Sequence, residues 1–480
     1  MKSPTEDAAR SELVLPPDEM LALAERAAQL VVKRLECLAS EPAWRGATRA
    51  ELETTLRESP PEGGRPALEV LERAAREILP VASRVDHPRF FAFVPGSATW
   101  PGVLADFLCA GHNTFQGTWL SASGPSQVEL VVLDWFREWI GYPDTASGLF
   151  TSGGSAASLD AFVAAREAAG APEGATVYMS DQSHSALVRA ATIVGIRPER
   201  VRKIPTDAYF RVDLDALARA VREDRAAGLS PVAVCANAGA TNTGAVDPLH
   251  AMADFCAREG IWLHVDAAYG GFAVLAEKGK KLLAGLERAD SIAMDAHKWL
   301  FQPFEAGCLM VKDVARLEAA FAVQPEYLQD AQWGSDHPNF SDRGLQLTRQ
   351  FRALKVWMSI QTFGLAAFRR AVAKGIELVE RAEEYVRASE LLEIANPASL
   401  GVVCFRYHPR GAGYAPERLE QLNKKVQARV IDSGTAMLSS TRLRGRYSLR
   451  FCILNHQTTW HDVLETLRAI ERFGGEIDAL

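Results

Sequence analysis

The chain has 480 residues, long enough for two or three packed units. Apolar residues make up 48% and charged residues 24%, the balance of an ordinary globular protein. A net charge of -7 with no basic run leaves no footprint for nucleic acid or an anionic membrane surface, and neither is expected as a partner.

The first residues, MKSPTEDAARSELVLPP, are polar and mixed in charge, without the apolar core of a secretory signal. No apolar stretch reaches the roughly 18 residues needed to span a bilayer. From Asp18 to Ala39 apolar positions recur at helical spacing, and a second helical stretch, Pro66 to Leu79, follows a Pro- and Gly-rich loop at Ser59–Arg65. With no strand between them to cover, these helices read as an appendage that packs on something else, such as a second subunit. The seven cysteines (37, 109, 235, 256, 308, 404 and 452) are scattered and form no CxxC pair. Reduced thiols in a cytoplasmic protein are expected, and no metal site.

Short β-branched or apolar runs then alternate with amphipathic helices: Ala175–Met179, Arg202–Ile204, Val232–Ala236, Trp262–Val265, Ser291–Met294 and Cys308–Val311, with helices such as Leu159–Ala169 and Leu214–Ala226 between them. Such alternation implies βαβ units and a mainly parallel sheet. The pattern lapses into a polar segment between Phe321 and Arg343, the length of a lid or binding loop. Helices follow at about Phe351–Phe363 and Ala366–Leu391. The remainder reads as a smaller α+β unit with strands near Val402–Arg406, Thr435–Ser439 and Tyr447–Ile453, and a last helix starting after Thr458 and Thr459.

Two segments carry the chemistry: His264-Val-Asp-Ala-Ala-Tyr-Gly-Gly271 and Asp295-Ala-His-Lys-Trp299. Each follows an apolar strand, which puts Asp266 and Lys298 near C-terminal strand ends, where ligand sites of open α/β sheets gather. A lysine there can form a Schiff base with an aldehyde cofactor, and an aspartate can hold a pyridine nitrogen protonated. Either residue alone is as readily a strand cap or the start of a turn. Thr151-Ser-Gly-Gly-Ser opens a helix and offers N–H groups and hydroxyls to a phosphate, although a Gly-Ser turn alone is equally an ordinary N-cap.

The ordered set HPRFFAF, the turn at 153–155, SDQSHS, DAAYGG, DAHKW, PEYL and FRALKVW resembles the group II pyridoxal-5′-phosphate (PLP) decarboxylases, the family of aromatic-L-amino-acid, histidine and glutamate decarboxylases. The resemblance runs from about His87 to Gly364. It implies an α/β, fold-type I architecture: an N-terminal helical segment over 1–86, a large PLP-binding domain with a mainly parallel seven-stranded sheet over 87–365, and a small α+β domain over 366–480. It also implies a homodimer with the active site at the interface.

Carried over residue by residue, the resemblance makes Lys298 the cofactor-bearing lysine and Asp266 the partner of the pyridinium nitrogen. His184 matches the imidazole stacked on one ring face, and Ala268 the small residue against the other. Gly153, Gly154 and Ser155 match the phosphate cup, and His297, beside the lysine, is a further candidate to reach the phosphate. Thr241 matches a threonine near the ring, and equally fits a helix cap in a Gly-rich turn. Asp295 departs from the pattern, since many relatives have asparagine there, and a carboxylate beside a phosphate dianion is repulsive unless turned away or neutralised.

The family protonates Cα with a loop tyrosine in a Pro-x-Tyr-Leu motif, matched here by Tyr327. Relatives that form aldehydes tend to lack that tyrosine or the stacking histidine; keeping Tyr327 and His184 favours simple decarboxylation to an amine. The family's side-chain pocket maps to Phe93, Val94, Gly96, Phe115, Gly117 and Trp119, partly from the partner subunit. These residues are aromatic or small and include no cation, which suits an aromatic L-amino acid, although they fit a plain core as well. Arg349, just before FRALKVW, fits a structural ion pair or a contact with substrate or loop.

Overall fold

The computed structural model describes residues 11–323, 334 and 337–479. Seven short, mostly buried runs form strands: β1 (Ser147–Thr151), β2 (Ala175–Ser180), β3 (Val201–Ile204), β4 (Ser230–Asn237), β5 (Trp262–Asp266), β6 (Ser291–Asp295) and β7 (Gly307–Val311). They build one sheet in the order β1-β7-β6-β5-β4-β2-β3. Strands β3, β2, β4, β5 and β6 run parallel, and β7 is antiparallel to both of its neighbours. The mainly parallel seven-stranded sheet expected from the alternation and the resemblance is therefore present.

Strand β1 escapes a periodicity reading because Gly148 interrupts its short apolar run. That glycine is needed: a Cβ on Gly148 would fall 1.9 Å from the Leu309 carbonyl oxygen on β7. The helix Leu214–Ala226 matches its expected span, with the Asp213 side chain accepting from the Ala216 N–H at its start. The helix expected over Leu159–Ala169 instead spans Gly154–Ala168, so the Gly-Gly-Ser turn is its first turn rather than a loop before it.

A second sheet, antiparallel and in the order β10-β11-β9-β8, follows the long helix Leu365–Ala388. Its strands are β8 (Leu392–Ser399), β9 (Val402–Tyr407), β10 (Ser439–Leu443) and β11 (Arg446–Cys452). The strand expected at Thr435–Ser439 lies four residues later. The cause is the two-residue hairpin at Arg444 and Gly445, both with φ > 0 (49° and 80°), which sets the register Leu443↔Arg446. Strand β8 occupies residues to which the sequence reading assigns no element, between the helix expected to end at about Leu391 and the strand near Val402. The capping box of Thr459 and Asp462 starts the last helix, Trp460–Asp478, where the sequence placed it. Phe91 inserts into this smaller core, stacked on Phe451 at 4.8 Å between centroids.

The N-terminal helix Pro17–Cys37 buries none of its residues, and Leu21, Val32, Val70 and Leu79 are exposed. A further helix, Arg49–Leu56, went unpredicted although Thr48 and Glu51 form the capping box that announces it. Among the described residues no helix is long and apolar enough to cross a membrane.

Candidate active site

The C-terminal ends of four strands converge on one cavity of about 740 Å³, a size suited to a small cofactor with substrate. Strand β4 delivers Asn237, β5 delivers Asp266, and β6 delivers Asp295 with His297 and Lys298 in the single turn that follows it. From the end of β1 come Ser152, Gly153, Gly154 and Ser155 at the start of a 15-residue helix. The first amides of a helix have no intrahelical acceptor and point outward, so this end of the cavity is built for an anion.

The charges are arranged in pairs. Lys298 Nζ lies 2.8 Å from Asp295 Oδ2. Burial alone would pull the lysine down, but the Asp295 and Asp266 carboxylates outweigh it and hold the ammonium above its ordinary range. Asp266 Oδ1 accepts from the Ala268 N–H at 3.1 Å. Burial pushes its carboxyl up, opposed chiefly by the Lys298 ammonium. A buried carboxylate of this kind gains from a positively charged partner within the cavity.

The histidines are fixed by backbone amides. His297 Nδ1 accepts from Ala306 N–H at 3.1 Å, which leaves Nε2 toward Asp295 Oδ2 at 3.6 Å, and burial keeps the ring below its usual pKa. His184 caps the helix Ser185–Ile193 by accepting from the Ala186 N–H at 3.2 Å through Nδ1, which leaves Nε2 free to face the cavity that it lines. Ala268 and Thr241 line the same cavity.

The structure thus brings together Lys298, Asp266, Ala268, His184, Gly153, Gly154, Ser155, Thr241 and His297, with Phe93 and Val94 at the margin. It does not bring in the rest of the expected substrate pocket. Gly96 lies behind the lysine: a Cβ there would be 1.8 Å from the Lys298 carbonyl oxygen. Phe115, Gly117 and Trp119 are not among the lining residues of this cavity within one chain. The Gly117 carbonyl accepts from Ser341 N–H at 3.0 Å, and Trp119 N–H donates to Asn339 Oδ1 at 2.9 Å. Tyr327 lies outside the described residues.

Several lining residues were missed. Asn237 is locked by donation to Asp247 Oδ2 (2.9 Å) and Ser180 Oγ (3.0 Å), and the register places it opposite Asp266. A polar residue closing the apolar run of β4 was its available signal. Tyr269 stacks against Trp299 at 6.0 Å, and Phe304 packs on His297 at 5.0 Å between ring centroids. Nothing local in the sequence marks Phe304.

A lysine and a carboxylate side by side at strand ends, facing a helix N-terminus, define a site for an aldehyde cofactor that carries a phosphate. The fit is close, because Gly154 leaves room no side chain could share: its Cβ would sit 3.0 Å from the Ala268 Cβ and 3.3 Å from Asp295 Oδ2. The chain belongs to the pyridoxal-dependent decarboxylase family, whose conserved domain its residues 50–408 match. It is 40% identical over 468 residues to an aromatic-L-amino-acid decarboxylase of Bacillus atrophaeus, covering 97% of each chain. It is 34% identical to a phenylacetaldehyde synthase of Petunia hybrida over 84% of this chain and 83% of that one. Among solved structures, Oryza sativa TDC with PLP and tryptamine superposes with a TM-score of 0.92 at 30% identity, over 97% of this chain and 99% of the other. The protein is a PLP-dependent amino acid decarboxylase.

Proposed function

We propose that this enzyme converts an aromatic L-amino acid to its amine and CO₂, working as a homodimer. The observation that carries the reading is the shared cavity of Asp266 and Lys298, with a helix N-terminus at one end and Phe93, Val94 and Phe304 near its margin. The curated relative at 40% identity bears the name aromatic-L-amino-acid decarboxylase, and a tryptophan decarboxylase of Catharanthus roseus, solved with L-tryptophan, superposes with a TM-score of 0.90 at 27% identity.

When bound, the cofactor supplies an electron sink for the bond between Cα and the carboxylate. Lys298 would hold it covalently, and Asp266 would keep its ring nitrogen charged. Gly153, Gly154 and Ser155 would hold its phosphate, with His297 beside them. His184 and Ala268 would sandwich the ring, with Thr241 at its edge. Tyr327 would deliver the proton to Cα after CO₂ leaves, which makes the amine rather than an aldehyde the product.

A second copy would supply what one chain lacks. Phe93 and Phe304 at the cavity mouth are about 60% exposed, as are Phe107 and Leu345 or more so. Residues 11–86 also leave apolar surface open, at Leu21, Val32, Val70 and Leu79. Large exposed apolar surface of this kind marks an interface, and Phe115, Gly117 and Trp119 would reach the cavity of the partner. The test is incubation with L-tryptophan, L-phenylalanine, L-tyrosine and L-dopa beside L-glutamate and L-histidine, measuring CO₂, amine, aldehyde and peroxide. Stoichiometric CO₂ and amine from an aromatic substrate are expected; turnover of glutamate alone, or peroxide matching CO₂, would overturn the reading.

A further inference from the structure

Asp295 and Glu305 are the lining carboxylates left without a role by this scheme, and the surroundings of Asp295 are unusual. Asp295 is 2% exposed, and its Oδ1 is a buried oxygen with no hydrogen-bond partner among the described residues. The other oxygen holds Lys298 Nζ at 2.8 Å. Both oxygens lie directly beneath the anion-binding turn: a Cβ on Gly154 would be 3.3 Å from Oδ2 and 3.6 Å from Oδ1, and one on Gly153 would be 4.0 Å from Oδ1.

Apart from Lys298, the groups facing Asp295 offer little to neutralise it. Lys298 and His297 share its turn, and the ring is kept from charging by burial. From β5 comes a second carboxylate, Asp266, and from β7 the Cys308 thiol, whose ionisation burial and nearby carboxylates oppose. Among the described residues lining the cavity, Lys298 is the only lysine or arginine, against Asp266, Asp295 and Glu305. Glu305 is paired with Arg352 at 2.6 Å. One cation therefore serves two carboxylates, next to the place where a phosphate dianion would be held.

We infer that Asp295 is the resting counter-ion of Lys298 and that its charge sets how loosely this enzyme retains its phosphate-bearing cofactor. The inference rests on the proposed assignment of Lys298 and the 153–155 turn. In the cofactor-free state the carboxylate neutralises the ammonium at close range. With the lysine covalently engaged, the same carboxylate faces the phosphate across the turn, and like charges at such separations oppose binding. Asp295 is thus a positioning residue, acting on the lysine before loading and on cofactor retention afterwards.

The test compares the full-length enzyme with Asp295→Asn, after the cofactor has been stripped and its removal verified spectroscopically. Dissociation constants are measured for PLP, for pyridoxal, which lacks the phosphate, and for inorganic phosphate as a competitor of PLP. Asp295→Asn should bind PLP and inorganic phosphate at least about fivefold more tightly, with a smaller change for pyridoxal. A purely structural role would not separate these three ligands. Asp295→Ser provides a second neutral variant and should show the same order. Unchanged or weaker binding of PLP and phosphate, or equal tightening for pyridoxal, would overturn the inference. Borohydride reduction and peptide mapping keep its failure distinct: label on a lysine other than Lys298 would sink the site assignment itself.

Discussion

Arg349 and Glu129 form an ion pair with no exposed side-chain surface, Nη2 lying 2.6 Å from Oε1. The arginine also donates to the carbonyls of Gln116 (3.1 Å) and Phe150 (2.9 Å), while Glu129 accepts from the Phe150 N–H and Gln116 Nε2, both at 2.8 Å. Its guanidinium lies 4.7 Å above the Phe340 ring. Arg349 is therefore a brace tying the helix Ser123–Ile140 and β1 to the segment ahead of the helix Ala353–Phe363. The structural ion pair weighed for it in the sequence is present, and the arginine is absent from the lining of the cavity.

Removing one partner of such a pair strands the other charge. Arg349→Met should cost about 3–5 kcal/mol, read as a lowered denaturation midpoint, and joining it to Glu129→Leu should recover much of that loss. A variant of wild-type stability that fails only in turnover would contradict the structural role.

Lys298 and Asp266 should separate cofactor attachment from catalysis. Lys298→Ala should lose both the visible absorbance of the attached cofactor and amine production. Asp266→Asn keeps the amine and so should still take up cofactor, while turnover falls by about 100-fold or more because the ring nitrogen loses its charged partner. Absorbance titration and product assay decide this together, and an Asp266→Asn enzyme at full activity would refute the pairing.

What the sequence disclosed follows from where the information is local. Asp266 ends an apolar run and Lys298 lies in the turn just after another, so strand-end logic points to both. The Leu214–Ala226 helix carries its own period and cap. In contrast, the Gly154–Ala168 helix starts within a glycine pair that locally reads as loop. Its position depends on β7, where a Cβ on Gly307 would fall 2.3 Å from the Gly153 Cα. Likewise, the ion pair of Asp295 with Lys298 needs a three-residue turn to be closed, and Phe304 reaches the site only through its packing on His297. The lining expected from Phe115 to Trp119 is not brought to the cavity within one chain; in the proposed dimer it would come from the second copy, which one sequence encodes only as unspent apolar surface.

Tyr327 tests the proton delivery proposed for the Pro-Glu-Tyr-Leu motif. Tyr327→Phe removes one hydroxyl and should leave cofactor absorbance unchanged. Amine formation should drop by about 100-fold, the ordinary worth of a positioned general acid. Any residual CO₂ should then be accompanied by aldehyde and peroxide rather than amine, so product analysis is the sharper readout. Unaltered amine output would move the proton donor elsewhere, with His184 the next group to examine.

Asp160 makes stability itself depend on pH. It is buried on the Gly154–Ala168 helix with Oδ1 unpartnered among the described residues, and burial pushes its carboxyl up to about 7, against the opposing Leu345 N–H and Arg349. In the unfolded chain an aspartate titrates near about 3.9. The folded state therefore binds the proton more tightly, and the stability this provides is complete below about pH 4 and lost as pH rises through about 7. Asp160→Asn, neutral at every pH, should gain on the wild type across that window, by on the order of 4 kcal/mol at pH 8. Thermal melts of both proteins at pH 5, 6.5 and 8 provide the comparison. Parallel profiles would show that the carboxyl ionises in the fold as easily as in water, and that its burial is relieved by contacts other than these.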